Sequence, residues 1–360
     1  MSFQDRTHGS FTAVNDSAVE KRLADALENI GKEIAEIDPP HLAGVYLGGG
    51  YGRGEGGVLR TADGVSHLYN DMDFFVIREE GQGSASVIDD SLTGISRKWS
   101  EELELDVDFS SAKTPSELAR LSPRLMYQEL RRGHCLVYGK PGLLDCIPER
   151  PASALPFSEA LRLLLNRGMG LLFASEKLAS PIPQTDTGFI LRNLHKAALG
   201  SGDAVMMSKG VYGWTARERK DIFHKLSIEI RLPEDYIKLY DYALDFKFLP
   251  TTELPGNSLV VWRGLRDFWC DSVCHVAEVS KTTDDEVCKA LKKACGRHGE
   301  STFRQMARHC VRAKTLWPAL TLNFTPPEAL LLGRLYCLLK NATDFPRRER
   351  RLFKRWKIFN

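Results

Sequence analysis

No two of the eight cysteines in this chain are spaced as CxxC, which removes zinc ribbons and thioredoxin-like redox pairs from consideration. At 360 residues a disulfide scaffold is not expected either, so a reducing, cytoplasmic home is the simplest expectation. No apolar run is long enough to cross a bilayer, and no membrane partner is expected. Met1–Asp16 is polar and has no apolar signal core, so residues 1–16 are expected to be a flexible leader. Charge of neither sign dominates: 49 Lys and Arg stand against 47 Asp and Glu, a net of +2, which argues against a dedicated nucleic-acid binder. No internal repeat is visible. What remains is ordinary globular composition, 43% hydrophobic and 27% charged, in a chain long enough for two domains.

Ser17–Glu20 fits a capping box, and Val19, Leu23, Leu27, Ile30 and Ile34 then recur at helical spacing until Pro39-Pro40. Gly44–Leu47 and Asp73–Arg78 read as strands, with Gly56–Asn70 as an inserted loop or hairpin between them. Val87, Ile88, Leu92, Ile95 and Trp99 mark a helix. Glu104–Ser110 alternates as a strand, Leu105, Val107 and Phe109 facing one way and Asp106 and Asp108 the other. Ser116–Arg132 reads as one helix and His134–Tyr138 as a further strand. The proline-rich stretch Pro141–Pro156 marks a boundary, set after residue 145. Beyond it the periodicity is helical: Ser158–Leu178, Phe189–Met207, Ala216–Leu226, Pro233–Phe246, Asn257–Val279, Asp284–His298 and Glu328–Leu339. The expected architecture is an α/β (α+β) domain with a small mixed sheet over 17–145, followed by an all-α domain over 146–360.

Between the first two strands lies Gly48-Gly49-Gly50-Tyr51-Gly52-Arg53-Gly54, dense enough in glycine for close backbone approach to a ligand and for amides aimed at phosphate oxygens. Then comes Asn70-Asp71-Met72-Asp73. Residues two apart on a strand share a face, so Asp71 and Asp73 project together, and Phe74–Ile77 anchors them by burial. Paired carboxylates repel unless a cation lies between them, and an all-oxygen donor set suits Mg²⁺. Asp106 and Asp108 offer further carboxylates on a later strand.

This order resembles the nucleotidyltransferase superfamily with the DNA polymerase beta-like fold, and is most similar to aminoglycoside (kanamycin) nucleotidyltransferases. Gly49, Gly50 and Arg53 match the family's Gly-(Gly/Ser)-x-x-Arg. Asp71 and Asp73 match its Asp-x-(Asp/Glu), and Leu105–Phe109 matches its third-carboxylate strand. The resemblance covers roughly 44–110. It departs from the pattern in a longer gap between glycines and acids, and in Gly-Gly where Gly-Ser is common. It implies transfer of a nucleoside monophosphate from a nucleoside triphosphate (NTP) to an acceptor hydroxyl, releasing pyrophosphate. Asp71, Asp73 and Asp106 would be catalytic and bind two Mg²⁺ ions, with Asp108 as the reserve ligand. Gly49, Gly50 and Arg53 would hold phosphate, Arg53 alternatively forming a structural ion pair with Glu55 or the acids. The acceptor is a small molecule, a protein hydroxyl or RNA. A nucleotide-binding or sensing protein of the same fold, without turnover, is the alternative.

In the helical half, Asn193, Lys196, Gly200 and Asp203 share one predicted helix face, and related enzymes place basic residues of that domain at the β- and γ-phosphates. Arg167 and Arg192 are further phosphate candidates. Gly52–Gly57 also satisfies GxGxxG with Asp71 downstream, which raises a Rossmann-type dinucleotide-binding enzyme. Cys270, Cys274 and His275 share a helix, but too few ligands accompany them for zinc, so core cysteines are expected. His134 and His195 are expected to be packed or solvated. The basic tail Arg347–Lys357 is either a solvated helix end or a contact for an acidic partner or nucleic acid.

Overall fold

In the computed structural model the described residues are 9–179, 181–280, 283–297, 311, 327–344, 346 and 350–359. They form two compact units, one of residues up to Pro151 together with Asp245–Thr251, the other of Ala152–Leu244 and the residues after Thr251. The boundary thus falls at 151/152 rather than after 145. Leu144 and Ile147, inside the proline-rich stretch, are buried in the first unit's core and hold that part of the stretch to it.

In the first unit, α1 (Ser17–Ile37) precedes β1 (Leu42–Leu47), a one-turn helix α2 (Gly49–Gly52), β2 (Val58–Arg60), β3 (Ser66–Leu68) and β4 (Met72–Arg78). Next come α3 (Ala85–Leu103), β5 (Val107–Phe109), α4 (Pro115–Ala119), α5 (Leu125–Arg132) and β6 (Cys135–Gly139). The main sheet is ordered β5-β4-β1-β6, with β1 antiparallel to β4 and β6, and β5 parallel to β4. β2 and β3 form the separate hairpin expected between glycines and acids.

Each strand alternates between two cores. Val45, Leu47, Phe74, Val76 and Val107 pack with α1 and α3, whereas Ala43, Tyr46, Phe75 and Ile77 pack with Leu118, Tyr127 and Leu130 of α4 and α5. Burying strands on both faces explains why β4 reads as an unbroken apolar run after Asp73.

Four local expectations change. Asp16, not Ser17, caps α1, accepting from the Val19 amide at 3.2 Å. The Glu20 carboxylate instead accepts from the amides of Phe11 and Thr12 at 2.7–2.9 Å. This ties down residues expected to be a loose leader: Phe11 is 1% exposed, and Thr12 bridges Gly56; residues 1–8 lie outside the described ones. The expected helix over 116–132 is two, because Thr114 starts a capped helix and Pro123 disfavours helical geometry just before α5. The strand expected over 104–110 shrinks to β5, since Glu104 adopts a left-handed conformation that closes α3.

Among its described residues the second unit is helical throughout: α6 (Phe157–Leu178), α7 (Gln184–Ser208), α8 (Ala216–Glu229), α9 (Glu234–Phe248, whose last residues belong to the first unit), α10 (Ser258–Ala277), α11 (Asp284–Arg297), α12 (Pro327–Lys340) and α13 (Arg350–Phe359). Trp262 and Trp269 of α10 are fully buried and donate their indole N–H groups to the Leu171 and Leu164 carbonyls of α6, at 3.1 and 2.9 Å. Truncating either ring costs about 3–5 kcal/mol. The basic tail lies in α13, whose Leu352 is buried and whose Trp356 donates to Asn166 Oδ1 at 2.9 Å; residues 347–349 lie outside the described ones. No helix among the described residues is long and apolar enough to cross a membrane.

Candidate active site

The site begins where β1 ends. The Gly48 amide still pairs with the Asp73 carbonyl at 2.8 Å, and the chain then turns through α2. Gly49 has φ of +62°, and a Cβ there would stand 2.7 Å from Asp73 Oδ2. Both the backbone angle and the carboxylate lying across this residue therefore require glycine. The amides of Gly49 and Gly50 begin the turn, where a helix leaves its N–H groups without internal acceptors.

The acids follow from strand alternation. Phe75 and Ile77 are buried under α4 and α5, and the same parity puts Asp71 and Asp73 on that face, at the start of β4 and outside the apolar cover. The β4–α3–β5 crossover lays β5 parallel to β4 in a register that sets Asp73 opposite Asp108. Met72 donates its amide to the Asp106 carbonyl at 2.8 Å, so Asp106 lies one step outward, toward Asp71. Asp73, Asp106 and Asp108 are exposed and Asp71 is half-buried. Partial burial first, then the charges of Asp106 and Asp71, hold the Asp108 carboxyl above its ordinary pKa. The neighbouring carboxylates thus add to the cost of burial in disfavouring its ionised form. Among the described residues no three His, Cys, Asp or Glu side chains stand at metal-ligand spacing. The donors available are all carboxylate oxygens, the kind that hard divalent cations take. The register therefore sets Asp108 level with Asp73, and Asp106 one step outward.

Arg53 stands between two acids. It donates to Glu129 Oε2 at 3.0 Å and lies 3.8 Å from Glu55, the structural ion-pair role held as its alternative. Glu55, 8% exposed, also pairs with Lys247 at 2.5 Å. Glu129 and Lys247 were not expected, and with Lys247 lying 192 residues from Glu55, local sequence carries no signal for the pair. Tyr51 was also missed. Its hydroxyl accepts from the Tyr69 and Asn70 amides at 2.9 and 3.2 Å and donates to the Gly57 carbonyl at 3.3 Å, locking the glycine turn to the segment that leads into Asp71. Burial, with the charge of Asp71 adding, pushes its pKa up to about 12, so it stays a donor. An aromatic residue inside a glycine run was the available signal.

The residues expected on one face of the helical domain do not form one site. Asn193 bonds its own helix at Phe189 O (2.8 Å) and packs on Gly170; Lys196 is exposed; Gly200 packs against Arg167. Asp203 accepts from Tyr240 OH at 2.7 Å and lies 3.7 Å from Arg219. Arg192 is half-buried. The Rossmann alternative fails on topology: a single turn and a hairpin follow the glycines, and β1 meets β4 antiparallel rather than through a parallel crossover. Cys270 and Cys274 are buried core residues, Cys274 lying 3.6 Å from Tyr336 OH. His134 packs edge-on to Tyr46, with Nδ1 2.9 Å from Leu130 O. His195 is buried against Tyr242, and burial pulls its pKa down to about 4. No known family model matches the chain, and no curated protein is significantly similar to it.

Proposed function

We propose that the first unit is a Mg²⁺-dependent nucleotidyltransferase, moving a nucleoside monophosphate from an NTP to an acceptor hydroxyl. The observation that carries this reading is the in-register pair Asp73–Asp108 on neighbouring parallel strands. Asp71 stands on the same face, and the Asp73 carboxylate is laid across Gly49.

In this reading Asp71, Asp73 and Asp108 hold Mg²⁺, two ions being the expected number, and Asp106 adds negative charge at the rim. Cations held by these acids would supply Lewis acidity, lowering the pKa of the attacking hydroxyl and neutralising charge on the triphosphate. The Gly49 and Gly50 amides meet phosphate oxygens at the start of the turn. Arg53, through Glu129 and Glu55, keeps that turn in place, and Tyr51 fixes its distance from the acids. A bond forms between the acceptor oxygen and the α-phosphorus while the bond to the departing pyrophosphate breaks.

The test is incubation with each α-³²P-labelled NTP, Mg²⁺ and a cell extract. A species that gains label with wild type but not with Asp73→Asn supports transferase activity and identifies the acceptor. NTP binding with no label transfer to any species would instead make the chain a nucleotide-binding protein without turnover.

A further inference from the structure

The second unit carries a cavity that plays no part in the proposed chemistry. α11 and α12 run antiparallel, Asp284 meeting Asn341 (2.6 Å) and Lys340 (2.9 Å) at one end, and Cys288 meeting Cys337 with the two Sγ atoms 3.9 Å apart. Between them lies a groove of about 570 Å³, within the ~300–1,000 Å³ typical of small-molecule sites. Its length on α12 follows from the spacing of Ala329, Gly333 and Cys337, which share one helix face. Gly333 opens it, for a Cβ there would stand 2.9 Å from Cys288 Sγ. A second cavity of about 400 Å³ shares Cys337 and Leu338 and continues the groove to Pro346.

The polar groups in the first cavity are of one sign. Lys289, Lys292 and Arg334 line it, and no acid does. Lys289 is paired with Asp285 at 2.5 Å. Lys292 and Arg334 are exposed, and neither has a carboxylate partner among the described residues. Since Cys288 faces Cys337, Lys292 lies level with Gly333 and Arg334, one turn from the Cys337 end that the second cavity continues. An apolar trench with cations toward one end is complementary to a molecule with one anionic head and an apolar body. A polyanion would call for cations spread along the whole track.

We propose that the α11–α12 groove binds a single-chain amphiphilic anion, its carboxylate or phosphate head held by Lys292 and Arg334 and its chain laid past Cys288, Cys337 and Leu338. The site is independent of the nucleotidyltransferase reading and stands or falls separately.

The two thiols in the groove report its occupancy. The full-length protein is alkylated with N-ethylmaleimide, alone or with decanoate, 1-decanol, or vesicles containing phosphatidylglycerol, and modification is followed at each cysteine by peptide mass spectrometry. Decanoate at ten times its Kd slows modification of Cys288 and Cys337 about tenfold, because only the empty fraction reacts. Half-buried Cys146, in the other unit, is the internal control and is unaffected. 1-Decanol does not protect, and the double variant Lys292→Glu/Arg334→Glu loses the protection while keeping the wild-type circular dichroism spectrum. Both substituted residues are exposed, so the fold tolerates the change. No protection by decanoate, equal protection by 1-decanol, protection retained in the double variant, or protection by vesicles alone would each overturn the proposal.

Discussion

On β4 and β5, acids at alternate positions face the same space, and the parallel register makes Asp73 and Asp108 neighbours. On α7, residues at spacings of three and four share a face by the same kind of reasoning, yet they meet different surroundings: Asn193 bonds its own helix, Lys196 is exposed, Gly200 packs on Arg167, and Asp203 meets Tyr240 and Arg219. The difference is one of reach. Adjacent strands lie under ~5 Å apart, so a few strand residues occupy one small volume. Ten residues of helix climb about 15 Å, so Asn193 and Asp203 belong to different surroundings. Shared parity on a sheet gathers groups into one small volume; a shared stripe on a helix spreads them along a packing surface.

That contrast predicts opposite failures. Asp73→Asn removes an exposed carboxylate, so label transfer falls on the order of 10³-fold while urea stability stays within about 0.5 kcal/mol of wild type. Asp203→Asn should do the reverse. It weakens the ion pair with Arg219, which is 4% exposed, and costs about 2–4 kcal/mol in urea unfolding, with transfer per folded molecule unchanged. A stable, inactive Asp203→Asn variant would break the comparison.

A finer division concerns the second acidic strand. Asp108→Asn should lower transfer on the order of 10²-fold, and Asp106→Asn less than about tenfold. Steady-state rates of the two variants decide it, and equal losses would place the third ligand at neither position in particular.

The smallest effect is on stability against pH. The Asp108 pKa is raised in the folded chain, so its ionised form is disfavoured there. Stability linked to this group is whole below the ordinary carboxylate pKa and lost as pH rises through the raised value. Asp108→Asn should therefore be slightly more stable than wild type at neutral pH, by under about 0.5 kcal/mol because the group is largely exposed. The advantage should vanish in acid and shrink when Mg²⁺ is added at neutral pH. Urea midpoints with and without EDTA measure it.

Sequence pattern revealed most of this where the physics is local. Strand alternation put Asp71 with Asp73 and Asp106 with Asp108, and helical spacing foresaw every helix from α6 to α12 to within a few residues. It failed where the deciding partner is distant. Register between β4 and β5 is set by α3 and the two cores, so which of Asp106 and Asp108 stands opposite Asp73 was not legible from LDVDF. Nothing near Arg53 announces Glu129, and nothing near Glu55 announces Lys247. The start of the first unit was misjudged because a polar segment looks loose until Glu20 accepts its amides.

The most direct test is electron paramagnetic resonance of Mn²⁺, which replaces Mg²⁺ at oxygen sites, with the protein and a non-hydrolysable NTP analogue. If strand-borne acids from β4 and β5 jointly cradle the ions, wild type gains bound Mn²⁺ when the analogue is added, Asp73→Asn and Asp108→Asn lose it, and Asp203→Asn keeps it. Mn²⁺ retention that is the same in wild type and Asp73→Asn would contradict the account.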